Sequence, residues 1–176
     1  MLKKDNRERV MEVFFDDPMA EFQLRELSRI VKFGTKSVKK YLSELIKINI
    51  IKTKQHKVQK FPLYLANRDN EYFLFLKKIN NLKNLYESEL INFIKHSCTP
   101  NSIILFGSSS LGEDIKGSDI DIFVESDKKN LELQKYEKIL KRKINIFFEK
   151  NIPNLSKELR LNIINGIKLY GFIEVK

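Results

Sequence analysis

The sequence predicts an α+β chain of two unlike domains, and three observations predict it. Apolar residues recur at helical spacing from Asn6 to about Ile48, then change to a two-residue alternation near residue 50. Charge divides along the chain as well. Residues 1–66 carry 15 basic and 8 acidic side chains, net +7, and residues 67–176 carry 18 and 15, net +3, within a total of +10. Glycine is concentrated too: Gly107, Gly112 and Gly117, three of the six, stand just ahead of two aspartates, Asp119 and Asp121.

The totals, 42% hydrophobic and 32% charged, are those of an ordinary folded protein. No apolar run approaches the roughly 20 residues that span a bilayer, so no membrane partner is expected. The chain becomes charged at Lys3, which argues against a signal peptide. Cys98 is the single cysteine, so no internal disulfide forms, and a reducing cytoplasm is the expected location. Its thiol is expected to be a half-buried small hydrophobe.

The elements follow in order. Val10, Met11, Phe14 and Phe15 mark a first helix, closed by Asp16, Asp17 and Pro18. A short extended piece at residues 22–24 precedes a brief helix with Leu27, Ile30 and Val31 inward. Gly34 permits a turn, and Thr35 or Ser37 can cap the next helix. That helix runs to about Ile48 with Val38, Tyr41, Leu42, Leu45 and Ile46 buried, while Lys36, Lys39, Lys40, Ser43 and Lys47 line its other side. Residues 50–53 and 58–65 read as hairpin arms around a basic tip, Lys54 to Lys57.

This order over residues 5–66 resembles a winged helix-turn-helix. Residues 25–60 hold eleven basic side chains against Glu26 and Glu44, which suits a polyanion. The expected partner is nucleic acid, DNA first and RNA as the alternative. Lys36, Lys39, Lys40, Ser43 and Lys47 would face the groove, with Lys54, His56 and Lys57 on phosphates. The same order also serves protein-binding modules, and winged-helix regulators are often homodimers. Residues 67–98 read as a helical connector, one helix or two in series. Tyr72, Phe73, Leu76, Ile79, Leu82, Leu85, Tyr86, Leu90, Phe93 and Ile94 form its apolar stripe, residues 79–84 offer a break, and residues 98–100 stop it.

The chemistry lies beyond residue 99. Residues 102–106, Ser-Ile-Ile-Leu-Phe, signal a buried strand ending at Gly107-Ser108, where a missing Cβ lets backbone approach a bulky anion. Ser108, Ser109 and Ser110 open a short helix whose N–H groups and hydroxyls suit phosphate. A loop at 112–117 returns as a strand on which Asp119, Asp121 and Phe123 share one face. Paired carboxylates at i and i+2 suit a hard divalent cation that also holds substrate phosphates.

Gly107-Ser108, ten intervening residues, then Asp119-Ile120-Asp121 resembles the signature of minimal nucleotidyltransferases, the smallest members of the DNA polymerase β-like superfamily. The likeness covers about residues 85–171, including the ending Asn162 to Gly171. It implies a small α/β domain with a mixed sheet over residues 99–176. Gly107, Ser108 and Ser109 would bind the triphosphate of ATP or another nucleotide, and Asp119 and Asp121 would bind Mg²⁺ or Mn²⁺. Such proteins move a nucleoside monophosphate onto a protein or RNA hydroxyl; some are antitoxins that modify a separate toxin.

The superfamily's third carboxylate is replaced by Asn145, on the strand expected at 143–149. An amide cannot serve as a base near neutrality, and loss of a general base costs about 10²–10⁴ in rate. Glu149 shares that strand face but stands too far along it to substitute, and Glu125 and Asp127 read as solvated loop groups. Three functions stay open: a nucleotidyltransferase, a DNA-binding regulator that senses nucleotide or dimerises through this domain, and an antitoxin-like subunit.

Overall fold

The computed structural model describes residues 5–56, 61–150 and 152–173. It divides into two compact units, Met1–Asn80 and Asn81–Lys176.

The first unit opens with α1 (Asn6–Asp16), where the Asp5 carboxylate accepts from Arg7 N and the Glu8 carboxylate accepts from Asp5 N, a reciprocal cap. There follow β1 (Phe22–Gln23), α2 (Leu24–Val31), α3 (Thr35–Lys47), β2 (Ile51–Gln55) and β3 (Pro62–Ala66). The strands form an antiparallel sheet in the order β1-β3-β2. Val10, Phe14, Leu27, Val38, Leu42, Leu45 and Ile50 close the core at 1% exposure or less. Ile30 was expected inward and is 50% exposed, because Leu27 and Val31, one turn apart, already fill the buried side of α2. Lys57, the last residue of the basic tip, lies outside the described residues, as does the start of the hairpin arm expected at 58–65.

Helix α4 (Glu71–Glu87) carries the boundary between the units, and α5 (Leu90–Cys98) follows. The break expected at residues 79–84 falls instead at Ser88-Glu89, where Glu89 has φ 64°. The asparagine run does not interrupt α4: the Asn81 amide donates to Ser109 O at 3.1 Å and Asp114 Oδ1 at 2.7 Å. Tyr72, Ile79 and Tyr86 lie about half exposed, so the apolar stripe is wider than the face α4 buries. Lys77, on the same helix, is buried and donates to Phe15 O at 2.9 Å, placing a cation on a carbonyl in the last turn of α1.

The second unit continues with β4 (Ser102–Phe106), α6 (Ser108–Leu111), β5 (Ile120–Val124), α7 (Gln134–Leu140) and β6 (Ile144–Phe148). A 3₁₀ turn (Ile152–Asn154), α8 (Lys157–Ile164) and β7 (Ile167–Gly171) complete it. The sheet order is β6-β5-β4-β7, with β5 and β6 parallel and the other pairs antiparallel: a mixed sheet. Every residue of β4 is buried because both sheet faces are covered. Leu90, Ile94, Ile103, Leu105 and Ile122 pack on one side, and Ile104, Phe106, Phe123, Ile152 and Ile163 on the other.

Two residues are more buried than expected. Glu125 is 9% exposed rather than solvated: its backbone extends the ladder to Asn101 and Ser102, and its carboxylate accepts from Ser102 Oγ at 2.8 Å. Cys98 is 3% exposed, more buried than expected, and burial raises its thiol pKa against the opposing influence of Lys129 and Ser126. Among the described residues, no helix is long and apolar enough to cross a membrane.

Candidate active site

The site is assembled by strand register. Phe106 on β4 pairs with Asp121 on β5, and Asp121 pairs with Asn145 on β6. Residues paired across adjacent strands project to the same face, so β4 delivers Gly107 to one flank of Asp121 and β6 delivers Asn145 to the other. Asp119 stands immediately before β5 and joins them. The Asn145 amide Nδ2 donates to Asp119 Oδ2 at 3.1 Å and to Asp121 Oδ1 at 3.0 Å. All three side chains are partly exposed.

Gly107 is required where it stands. Its φ of 68° and ψ of −162° fall in a region that only glycine readily occupies. A Cβ there would lie 2.9 Å from Asp121 Oδ2. The turn beyond it distributes its hydroxyls unevenly. Ser108 is partly exposed. Ser109 is buried with Oγ donating to Asp119 O at 3.4 Å, and Ser110 is buried with Oγ donating to Gly107 O at 2.7 Å. Ser109, expected on phosphate, thus directs its hydroxyl at the backbone of the carboxylate loop.

That loop has a buried anchor which the sequence reading missed. Asp114 is 1% exposed, forms an ion pair with Arg142, and accepts from the Asn81 amide. Ser118 and Ile115 close the turn beyond it, through Ile115 N to Ser118 Oγ and Ser118 N to Ile115 O, both 3.0 Å. The anchor ties α4, the carboxylate loop and the entry to β6 to one another. Nothing in the spacing of Asn81, Asp114 and Arg142 signals it, since they meet only through the fold.

The donor set fits a divalent cation. Two carboxylates converge on one face, an amide sits between them, and the absent Cβ of Gly107 keeps Asp121 Oδ2 uncrowded. Among the described residues no group of three or more His, Cys, Asp and Glu side chains could hold a metal ion, so this site offers two carboxylates and no third such ligand.

The expected nucleic-acid residues lie in the first unit. Lys36, Lys39, Lys40, Ser43 and Lys47 are all exposed on α3, with Ser43 Oγ donating back to Lys39 O at 3.0 Å. Lys54 is paired with Glu21 at 2.6 Å and Lys52 with Asp69 at 2.8 Å, so part of the hairpin's charge is matched within the unit. His56 stacks on Phe61 with ring centroids 4.7 Å apart.

A mixed sheet that sets a glycine-serine turn against Asp121 on the neighbouring strand and Asp119 just before it is consistent with a nucleotidyl-transfer type of domain. Comparison with known proteins agrees: the chain belongs to the nucleotidyltransferase domain family, whose profile matches residues 87–169. A Methanocaldococcus jannaschii protein, provisionally named a protein adenylyltransferase, is 37% identical over 87 residues, covering 45% of this chain and 86% of its own length. No solved structure matches the chain.

Proposed function

We propose that the second unit transfers a nucleoside monophosphate, AMP from ATP in the first instance, to a hydroxyl of a protein. The observation that carries this reading is the bridging of Asp119 and Asp121 by Asn145, which gathers the whole sequence signature at one locus beside Gly107. The provisional name of the M. jannaschii relative supports adenylate and a protein acceptor.

In the reaction the acceptor oxygen forms a bond to the α-phosphorus. The bond from that phosphorus to the bridging oxygen of the β-phosphate breaks, and pyrophosphate leaves. Gly107 and Ser108 would hold the triphosphate, and Asp119 and Asp121 would hold Mg²⁺ or Mn²⁺. Bound there, the cation supplies charge neutralisation and alignment for in-line displacement. Asn145 cannot take the acceptor's proton, which passes to solvent. Its role is positional: one amide fixes the spacing of two like charges that would otherwise repel. The Asp114–Arg142 pair holds the loop that carries Asp119.

The exposed lysines of α3 favour a second activity for the first unit, read as a winged helix: contact with nucleic acid, DNA before RNA. An antitoxin-like role, with a toxin as acceptor, is a special case of the protein-directed reading. A regulator that only senses nucleotide is the competing one. The test is incubation with each α-³²P-labelled nucleoside triphosphate, Mg²⁺ or Mn²⁺, and host lysate. Label on a protease-sensitive band, lost in Asp119→Asn/Asp121→Asn, supports transfer. Nucleotide binding without label on any acceptor sinks it in favour of the sensor.

A further inference from the structure

We propose that the free edge of β6 is the docking site for an extended, acidic segment of the acceptor protein, which adds to the sheet as a fifth strand beside the carboxylates. This rests on the transferase reading and names how its acceptor is held.

The sheet order makes β6 an edge strand, paired among the described strands with β5 alone. In a parallel ladder alternate residues of a strand bond to one neighbour. Ile120 N donates to Lys143 O and Glu149 N to Val124 O, which fixes the phase. Lys143, Asn145, Phe147 and Glu149 therefore bond toward β5, and the backbone groups of Ile144, Ile146 and Phe148 point to the open edge. Ile144 N is taken by Glu137 Oε1 at 3.1 Å. Ile146 and Phe148 are left to present an N–H and a C=O each, the template that strand addition uses.

The edge lies on the appropriate side of the site. Gly107, at the triphosphate end, flanks Asp121 from β4, so an acceptor attacking in line approaches from the β6 flank. A strand added there sits about 4.8 Å beyond β6, and its side chains alternate in step with those of β6. The residue opposite Asn145 faces the carboxylates. Its neighbour two positions away meets Phe147, 39% exposed on the same face and braced edge-to-face by Phe106 at 5.4 Å. Two positions the other way it meets Lys143, which is exposed, as is Lys141.

Charge selects the occupant: Arg142 is paired with Asp114 and Lys150 with Asp127, which leaves the exposed Lys135, Lys138, Lys141 and Lys143 within residues 134–150 against Glu137 and Glu149. The fitting sequence places an acidic residue, the acceptor hydroxyl and an apolar residue at alternate positions, in either direction.

The probes are the peptide Glu-Thr-Ser-Thr-Leu-Thr-Glu, its reverse, and lysine-for-glutamate counterparts, added without nucleotide to the full chain. Amide hydrogen exchange is read by NMR. At saturating acidic peptide, exchange at Ile146 and Phe148 is expected to slow at least tenfold, while Asn145 and Phe147 amides, already bonded to β5, do not change. Ile146→Pro removes the outward N–H at a position where an edge strand tolerates proline and abolishes the protection. Lys141→Glu/Lys143→Glu, at exposed positions, does the same without touching the backbone. Protection that is absent, that survives both variants, or that the lysine peptides match overturns the proposal. Docking is read without turnover, so a chain that transfers label yet shows no edge protection refutes the docking mode alone. A chain that docks peptide but transfers nothing refutes the transferase reading.

Discussion

Asn145 and Asp121 occupy paired positions on adjacent parallel strands, and the amide of one donates to the carboxylate of the other at 3.0 Å. The same amide reaches Asp119 at 3.1 Å, so a neutral residue occupies the position between two charges. Under the transferase reading proposed above, the amide supplies donors where the third carboxylate that the resemblance implies would add repulsion. The same reading predicts the consequence of restoring that acid. Asn145→Asp should raise the transfer rate by about 10²-fold, the low end of what a general base contributes. In EDTA the same variant should melt below wild type, and Mg²⁺ or Mn²⁺ should recover the loss. An Asn145→Asp protein as stable as wild type in EDTA would show that the three side chains do not meet.

Gly107 should tolerate no side chain. Gly107→Ala forces a glycine-only backbone conformation, worth about 1–3 kcal/mol, and drives a Cβ against Asp121 Oδ2. Nucleotide binding by calorimetry should fall below detection with Mg²⁺ present while circular dichroism keeps the native helix content. Binding within twofold of wild type would contradict the cradle.

The Asp114–Arg142 pair should be structural. Arg142→Ala leaves a buried carboxylate with the Asn81 amide and should cost the second unit about 3–5 kcal/mol. Urea unfolding followed at Tyr136 would measure this. The double variant Asp114→Asn/Arg142→Met, which removes both charges, should recover most of the loss.

Cys98 should react sluggishly. Burial raises its thiol pKa, so the thiolate fraction at mildly alkaline pH lies below that of a free cysteine. Iodoacetamide labelling should run at least tenfold slower than on the urea-unfolded chain. For linkage, a raised folded pKa gives stability that is complete below the unfolded value and lost as pH rises through the folded one. The contribution therefore belongs to neutral pH and disappears in strong alkali.

The α3 lysines make a separable prediction. If the first unit binds nucleic acid, Lys36→Ala/Lys40→Ala should weaken binding to duplex DNA irrespective of sequence and reduce the salt slope by about 0.9 for each lost phosphate contact. Transfer by the second unit to a small acceptor should not change.

Much of this was legible in the sequence because the information is local. Gly107-Ser108, Asp119 and Asp121 announce themselves by residue type and spacing, and alternation from Asp119 into β5 puts both acids on one face. The place of Asn145 followed from the strand that bears it, but its contact with both carboxylates needed the register of β6 on β5. Glu125, Asp114 and Lys77 were illegible for one shared reason: each is a charged residue whose burial depends on partners 23 or more residues away. The break between α4 and α5 was misplaced because asparagines read as helix breakers until Asn81 is seen to bond across the second unit. Ile30 shows the opposite error, an apolar residue at helical spacing on a helix too narrowly buried to use it.

The most direct test is a single-turnover assay with α-³²P-labelled ATP and Mn²⁺, run side by side on wild type, Asp121→Asn and Asn145→Asp, using the labelled lysate band as acceptor. The account predicts transfer by wild type, none by Asp121→Asn, and a faster reaction by Asn145→Asp. Wild type and Asp121→Asn giving the same label would contradict it.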